Sequence, residues 1–355
     1  MHDHPVSESG ASGQAIGGFL TLETPVASPG GMAAIWQIDR ALAWGNASSA
    51  LSALVDHVRP GAVWLPGYLC ATVLAAVPRG LRRYFPVSAA MTPDLASLAA
   101  LKPGDLVLAV NYFGRSPGQD WRDFVAAHPH VTFVEDCAQA LDTGEPGWGD
   151  WRLYSPRKVL GVPEGGLLVP LSARARGQEM QGPVLPPDPA VVVERMLPML
   201  ARLEAPGLNR LWHPLNQVAE ASQIVSGRAM SRFALGLLAS LDPAAALVAR
   251  RANYVHLAEA LPDLALLPES RPLHAPRHAP LGFPILLTAA QRDAVLSALN
   301  ARSIFPAVHW RDIAAPAEFT SDHDRARRVA TLPCDPHYGL QDMDRVVQEL
   351  RKALQ

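Results

Sequence analysis

Val131–Pro170, VTFVEDCAQALDTGEPGWGDWRLYSPRKVLGVPEGGLLVP, is the stretch whose reading decides the fold. Val131 to Val134 is an apolar run without polar alternation, the pattern of a strand buried on both faces. Glu135 and Asp136 stand at its carboxyl end, followed by Cys137, Ala138 and Gln139. Arg152 to Ser155 reads as a second strand, followed by Pro156, Arg157 and Lys158, and beyond a glycine pair Leu167 to Val169 reads as a third. Ligands of α/β sheets bind just outside the carboxyl ends of the strands. A carboxylate after one strand and an amine after the next are therefore expected to face a single crevice.

That pairing has a chemical meaning. Pyridoxal phosphate needs a lysine amine for a Schiff base and a carboxylate opposite its ring nitrogen. The negative charge keeps that nitrogen protonated, and the protonated ring withdraws electrons from a substrate carbanion. Lys158 suits the first role and Asp136 the second, while Ser155, three residues before the lysine, has a hydroxyl suited to phosphate. Taken singly, a lysine after an arginine reads as a solvated cation and an aspartate after a strand as a helix cap. The ordered set is what points to a cofactor site.

The same residues resemble the DegT/DnrJ/StrS-type aminotransferases of fold type I. The resemblance rests on Glu135-Asp136-Cys137-Ala138-Gln139, Ser155-Pro156-Arg157-Lys158 and Gly165-Gly166. It implies a large domain with a mainly parallel central sheet flanked by helices, plus a small C-terminal α/β domain. It also implies Asp136 at the ring nitrogen, Gln139 near the ring and its 3-hydroxyl, Ser155 on the phosphate, and Lys158 as the Schiff-base lysine. The division expected is a flexible segment over 1–17, a large cofactor-binding domain over 18–240 and a small domain over 241–355.

Working outward toward the N-terminus, residues 1 to 17 are rich in Ser, Gly and His. A Gly30-Gly31 turn and a helix near Met32 to Leu42 are expected next. Ala50, Leu51, Leu54, Val55 and Val58 follow helical spacing, with Ser48 or Ser49 placed to start that helix. A helix N-terminus attracts anions, and in the resembled family this one cups the cofactor phosphate, so Ser48 and Ser49 are candidate phosphate contacts. Val63 to Leu65 reads as a strand leading through Pro66-Gly67-Tyr68-Leu69-Cys70 into a helix. Cys70 stands where the family carries a ring-stacking aromatic, which leaves the stacking to Tyr68 or to something smaller. Tyr84 to Val87 and Leu106 to Val110 read as further strands. Asn111-Tyr112-Phe113-Gly114 then resembles a site-edge loop, with Asn111 in place of a histidine and Tyr112 beside it as substrate-side candidates. A helix near Trp121 to Ala127 completes an alternation expected of a parallel sheet with crossover helices.

Toward the C-terminus, Ser172 to Pro189 reads as a loop over the entrance, and helices are expected over Val191 to Leu203, Leu215 to Val225, Met230 to Leu241 and Pro243 to Leu261. By the same resemblance, Arg228 is a candidate substitute for an asparagine that reaches the phosphate of a partner subunit, with a plain solvated arginine as the alternative. Gly282 to Leu287, Ala289 to Leu299, Ile304 to Val308 and Asp342 to Leu354 alternate strand-like and helical. His309, by resemblance, borders the substrate pocket.

Bulk properties narrow the function classes. The 355 residues are 49% hydrophobic and 18% charged, with a formal net charge of −2. Such a chain buries a large core and carries no basic footprint for nucleic acid. Cys70, Cys137 and Cys334 are too few and scattered for a disulfide framework or a metal centre. No apolar h-region and no run of ~20 apolar residues is seen, so a cytoplasmic location is expected. The family resemblance implies a homodimer with its site at the interface, an amino-acid donor such as L-glutamate, and a keto group on a nucleotide-linked sugar as acceptor. Two other readings stand beside it. One is a non-catalytic binder of pyridoxal phosphate or a nucleotide-sugar; the other is a different reaction of the same cofactor.

Overall fold

The computed structural model describes residues 15–25, 35–267, 278–313 and 315–355. The chain enters with β1 (Ile16–Gly17), and Ile16 is fully buried, so the segment expected to be loose through residue 17 is already anchored there. The Gly30-Gly31 turn and the start of the helix expected from Met32 lie outside the described residues. Gln37 turns the backbone left-handed (φ 49°), Ile38–Arg40 forms one tight 3-10 turn, and β2 (Leu42–Trp44) is extended rather than helical.

Strand and helix then alternate: α1 (Ala47–Val58), β3 (Val63–Pro66), β4 (Arg82–Phe85), β5 (Leu106–Val110), α2 (Gln119–Ala127), β6 (Thr132–Asp136), β7 (Ala140–Asp142), β8 (Trp151–Tyr154) and β9 (Gly166–Pro170). The helix expected after Cys70 is only a short 3-10 run, Ala71–Ala76. Seven of these strands form one sheet in the order β2-β9-β8-β6-β5-β3-β4. The strands from β4 through β8 are parallel, and β9 and β2 close one edge antiparallel. All five residues of β5 are buried, which is why it reads as an unbroken apolar run. Leu51, Leu54 and Val55 of α1 pack on the sheet with Val63, Leu65, Leu106 and Leu108; each such side chain contributes about 1.5–3 kcal/mol on burial.

The second half is helical before it returns to strands. It runs α3 (Ala173–Arg176), inside the expected loop, then α4 (Pro189–Glu204), α5 (Asn209–Ala221), α6 (Arg232–Ser240) and α7 (Pro243–Ala260). β10 (Ala279–Pro280), β11 (Gly282–Leu286), α8 (Ala289–Asn300), β12 (Ile304–Phe305), α9 (Thr320–Arg328), β13 (Val329–Pro333) and α10 (Leu340–Ala353) follow. β11 pairs antiparallel with β13, and β12 pairs in parallel with β1. A separate core forms here from Tyr254, Leu257, Phe283, Ile285, Val295, Leu332 and Val346, with Ile16 inserted into it. α9 has no apolar stripe to announce it. Its Asp322 is wholly buried, ion-paired to Arg325 at 2.7 Å and accepting from the distant Val87 N–H at 3.4 Å.

Candidate active site

The carboxyl ends of β3, β6 and β8 and the start of α1 converge on one edge of the sheet. Between them lie a small cavity of about 60 Å³ and a larger open cleft of about 860 Å³. Asn46, Ser48, Thr72, Arg157, Lys158 and Gln223 are walls of both.

Asp136 is the last residue of β6 and reaches the small cavity with Ser155, which follows β8. Lys158 lines the same space from the 3-10 turn Pro156–Lys158. Burial raises the Asp136 carboxyl above its ordinary range, and the positive charge of Lys158 opposes that rise. Among the described residues the carboxylate accepts a single hydrogen bond, at Oδ1 from the Ala138 N–H at 2.8 Å. No ion pair joins it to Lys158 or to any other described cation. It is a buried acid that lines the cavity with a second oxygen free of hydrogen bonds among the described residues, where a positive charge or donor in the cavity would stabilise it.

The glycine pair after the lysine is a spacer for backbone. Gly165 has φ 134°, and a Cβ on Gly166 would lie 2.2 Å from the carbonyl carbon of Asn46. Only glycine lets β9 press against the start of α1, which holds that helix end beside the lysine turn. The cap of α1 is Asn46 rather than Ser48 or Ser49: its Oδ1 accepts from the Ser49 N–H at 2.8 Å, and its Nδ2 donates to the Ile224 carbonyl at 2.8 Å. Ser49 is buried, its hydroxyl donating to Asn46 and accepting from the Ser226 N–H. Ser48 alone of the two lines the cleft, where the positive end of the helix dipole favours an anion.

His309 and Trp310 line the larger cleft from the far side. The Nδ1 of His309 lies 2.9 Å from the Thr331 hydroxyl. Burial, with Lys158 nearby, pushes the imidazole pKa down to about 3, so the ring is neutral near neutral pH. Cys70 also lines the cleft, its Sγ 3.0 Å from the Thr72 hydroxyl.

Several other sequence candidates sit behind this wall. Tyr68 is wholly buried; its hydroxyl donates to the His309 carbonyl, and its ring packs against Tyr112 and Trp310 at 5.7 and 5.5 Å between centroids. It is not among the residues lining either cavity. Tyr112 is buried with its hydroxyl donating to the Tyr68 carbonyl. Asn111 donates to Glu135 Oε1 at 2.9 Å and to the Cys137 sulfur, and accepts from the Trp148 indole. Glu135 in turn is ion-paired with Arg152 at 2.9 Å. Gln139 accepts from the Phe113 N–H at 2.7 Å, and its buried Nε2 has no partner among the described residues. Arg228 donates to the Pro186 carbonyl and lies 3.7 Å from Asp188, away from both cavities.

The cleft has walls the sequence did not single out. Gly17, Gly18, Phe19 and Leu20 border it, as do Gln223, Ile224 and Val225 after α5. The asparagine cap could have been read from an Asn three residues before a serine at the head of an apolar pattern. The loop after α5 carries no comparable signal; it is held at the site by long-range bonds to Asn46 and Ser49.

No family model and no curated protein matches the sequence. Solved structures do match the fold over most of the chain. A DegT/DnrJ/EryC1/StrS aminotransferase from Brucella abortus matches at 14% identity and a TM-score of 0.57, covering 90% of this chain and 87% of that one. DesI, solved in the presence of its TDP-sugar product, matches at 21% identity and 0.58, covering 90% and 82%. NtdA from Bacillus subtilis with bound cofactor PMP matches at 14% and 0.60, covering 93% and 78%. The fold is that of the fold type I aminotransferases of this kind.

Proposed function

We propose that this chain is a pyridoxal phosphate-dependent aminotransferase that moves an amino group from an amino acid to a keto compound. The observation that carries the reading is Asp136, a buried carboxylate with an unpartnered oxygen, sharing a small cavity with Lys158. The donor set fits the cofactor: a protonated ring nitrogen suits Asp136, the hydroxyls of Ser48 and Ser155 with the start of α1 suit a phosphate, and Lys158 suits the aldehyde carbon. Pyridoxal phosphate would supply an electron sink for the carbanion formed beside the substrate nitrogen.

The protein's own part is positioning and proton handling. Asp136 would hold a positive charge in a place where water cannot compensate it. Lys158, when its amine is free, is the group able to take up and return a proton at Nζ inside the cleft. His309 is neutral and fixed through Thr331, so it offers a hydrogen bond rather than a charge.

The chain has three lysines, at 102, 158 and 352. Lys102 is exposed, and Lys352 pairs with Glu349 on the surface. L-Glutamate as donor and a nucleotide-linked ketosugar as acceptor belong to this proposal; the likeness to DesI, solved in the presence of its TDP-sugar product, supports the acceptor. A homodimer belongs to it as well. Leu197, Leu211 and Val218 are 45%, 48% and 57% exposed on the α4–α5 hairpin beside the cleft, an apolar face of the kind a second copy covers.

The test is to incubate the protein with pyridoxal phosphate, reduce it with borohydride and map the modified peptide. Attachment at Lys158 is expected, with Lys158→Ala losing both the label and the visible absorbance band. Labelling at Lys102 or Lys352, or none, overturns the assignment.

A further inference from the structure

Arg157 is the cation of the cleft that the reading above leaves without a role. Among the described residues, Lys158 and Arg157 are the only Lys or Arg lining the two cavities that hold Lys158. His309 adds no charge near neutral pH. An amino-acid donor brings a carboxylate on the same carbon as its amine, so the amine cannot meet the lysine site unless that carboxylate is also accommodated. Burying it unpaired beside Asp136 would be costly. A guanidinium one residue from the lysine is the group placed for it, and its planar fork matches a carboxylate in two parallel hydrogen bonds.

What Arg157 holds in its place is exchangeable. Its Nη1 donates to Oε1 of Glu220 at 2.8 Å, and its Nη2 lies 3.5 Å from Oε2. The Glu220 side chain is 50% exposed, at the mouth of the cleft on α5. An ion pair this open contributes only about 0–1 kcal/mol, so a better-placed anion displaces it readily. Arg195, a buried arginine that lines a neighbouring cavity with Arg157, is already committed to Glu164 and the Gly45 carbonyl.

We propose that Arg157 receives the α-carboxylate of the amino donor and that Glu220 is the internal anion that the donor displaces. This rests on the aminotransferase reading, and it commits to the donor carboxylate rather than the cofactor phosphate. The diphosphate of a nucleotide-linked acceptor is the less suitable ligand, because it sits several bonds from the reacting carbon, whereas the donor carboxylate is attached to it.

The experiment measures three constants on one set of variants. They are pyridoxal phosphate affinity by absorbance, the apparent L-glutamate constant from the spectral change of the loaded protein, and glutarate binding to the unloaded protein by calorimetry. For Arg157→Gln the expected result is pyridoxal phosphate affinity within about twofold of wild type, with L-glutamate and glutarate constants weakened about 10–100-fold. Arg157→Lys should recover part of that loss. Glu220→Gln, an exposed change that leaves the core alone, should tighten both carboxylate ligands severalfold, and it keeps the proposal open to refutation if Arg157→Gln fails to fold. Loss of pyridoxal phosphate binding in Arg157→Gln with glutarate unaffected would reassign the arginine to the cofactor phosphate and overturn the proposal. Unchanged carboxylate constants in Arg157→Gln, or in Glu220→Gln, overturn it too. A wild-type protein that binds no pyridoxal phosphate but loses glutarate in Arg157→Gln defeats the aminotransferase reading and leaves only a carboxylate site.

Discussion

Two groups of residues flank the carboxyl edge of one sheet and look equally chemical in the sequence. Asp136, Ser155 and Lys158, after β6 and β8, present their side chains to a cavity. Asn111, Tyr112, Gln139 and Tyr68, after β5, β6 and β3, are spent on other buried side chains and on the backbone behind that cavity. The first group has hydrogen-bonding capacity left over; the second, apart from the Nε2 of Gln139, does not. A polar residue at a strand end is thus available for chemistry only when the fold leaves it unsatisfied, and residue type does not report that.

The comparison is open to breaking by substitutions whose effects should separate cleanly. The largest effect is expected on the first group. Asp136→Asn keeps the shape but cannot hold a ring nitrogen protonated, so turnover should fall on the order of 10²–10³-fold. Burial already disfavours the ionised Asp136 carboxyl, so removing that charge should leave the unfolding midpoint at neutral pH unchanged or slightly higher. A variant with normal turnover and a lowered midpoint would show Asp136 to be structural.

Asn111→Ala should do the reverse. It strands the Glu135 carboxylate, the Trp148 indole and the Cys137 thiol in a buried network, at about 1–3 kcal/mol per lost partner. Denaturant unfolding should show the loss, while the pyridoxal phosphate and L-glutamate constants stay close to wild type. A selective rise in the L-glutamate constant, with stability intact, would move Asn111 into the site.

The smallest effect concerns pH and sharpens the boundary between the groups. His309 is held at about 3 in the folded chain, against an ordinary value near 6.5. A histidine depressed on folding binds its proton first in the unfolded chain, so stability present above about pH 6.5 is lost as the pH falls toward 3. His278, pushed down to about 4 by burial with Arg115 beside it, acts in the same direction. His309→Asn should flatten the fall in thermal midpoint between pH 6.5 and 4 without abolishing it, because His278 remains. An unchanged slope would mean that His309 takes up its proton without unfolding.

Much of the fold was legible beforehand for a simple reason. β5 is an unbroken buried apolar run and β6 opens on one at Phe133 and Val134, and α1 shows its periodicity within a single stretch of chain. β7, β10, β13 and α9 were not legible, being short or held by partners distant in sequence, such as Asp322 with the Val87 N–H. The candidate site divides along the same line. Asp136, Ser155, Lys158 and the glycine pair lie within 31 residues of one another in the single passage from β6 through β8 to β9, where strand direction alone sends the ends to one side.

By itself, then, the sequence determined the parallel sheet, the acid and amine at neighbouring strand ends, and glycine where backbone must touch backbone, because each follows from local periodicity or sterics. Only the tertiary structure decided that Asn46 rather than a serine caps α1, that Tyr68 and Asn111 face inward, and that Arg157 meets Glu220 across 63 residues. Those outcomes depend on which polar groups find partners at long range, and that is settled only when every buried donor and acceptor competes in the same packed volume.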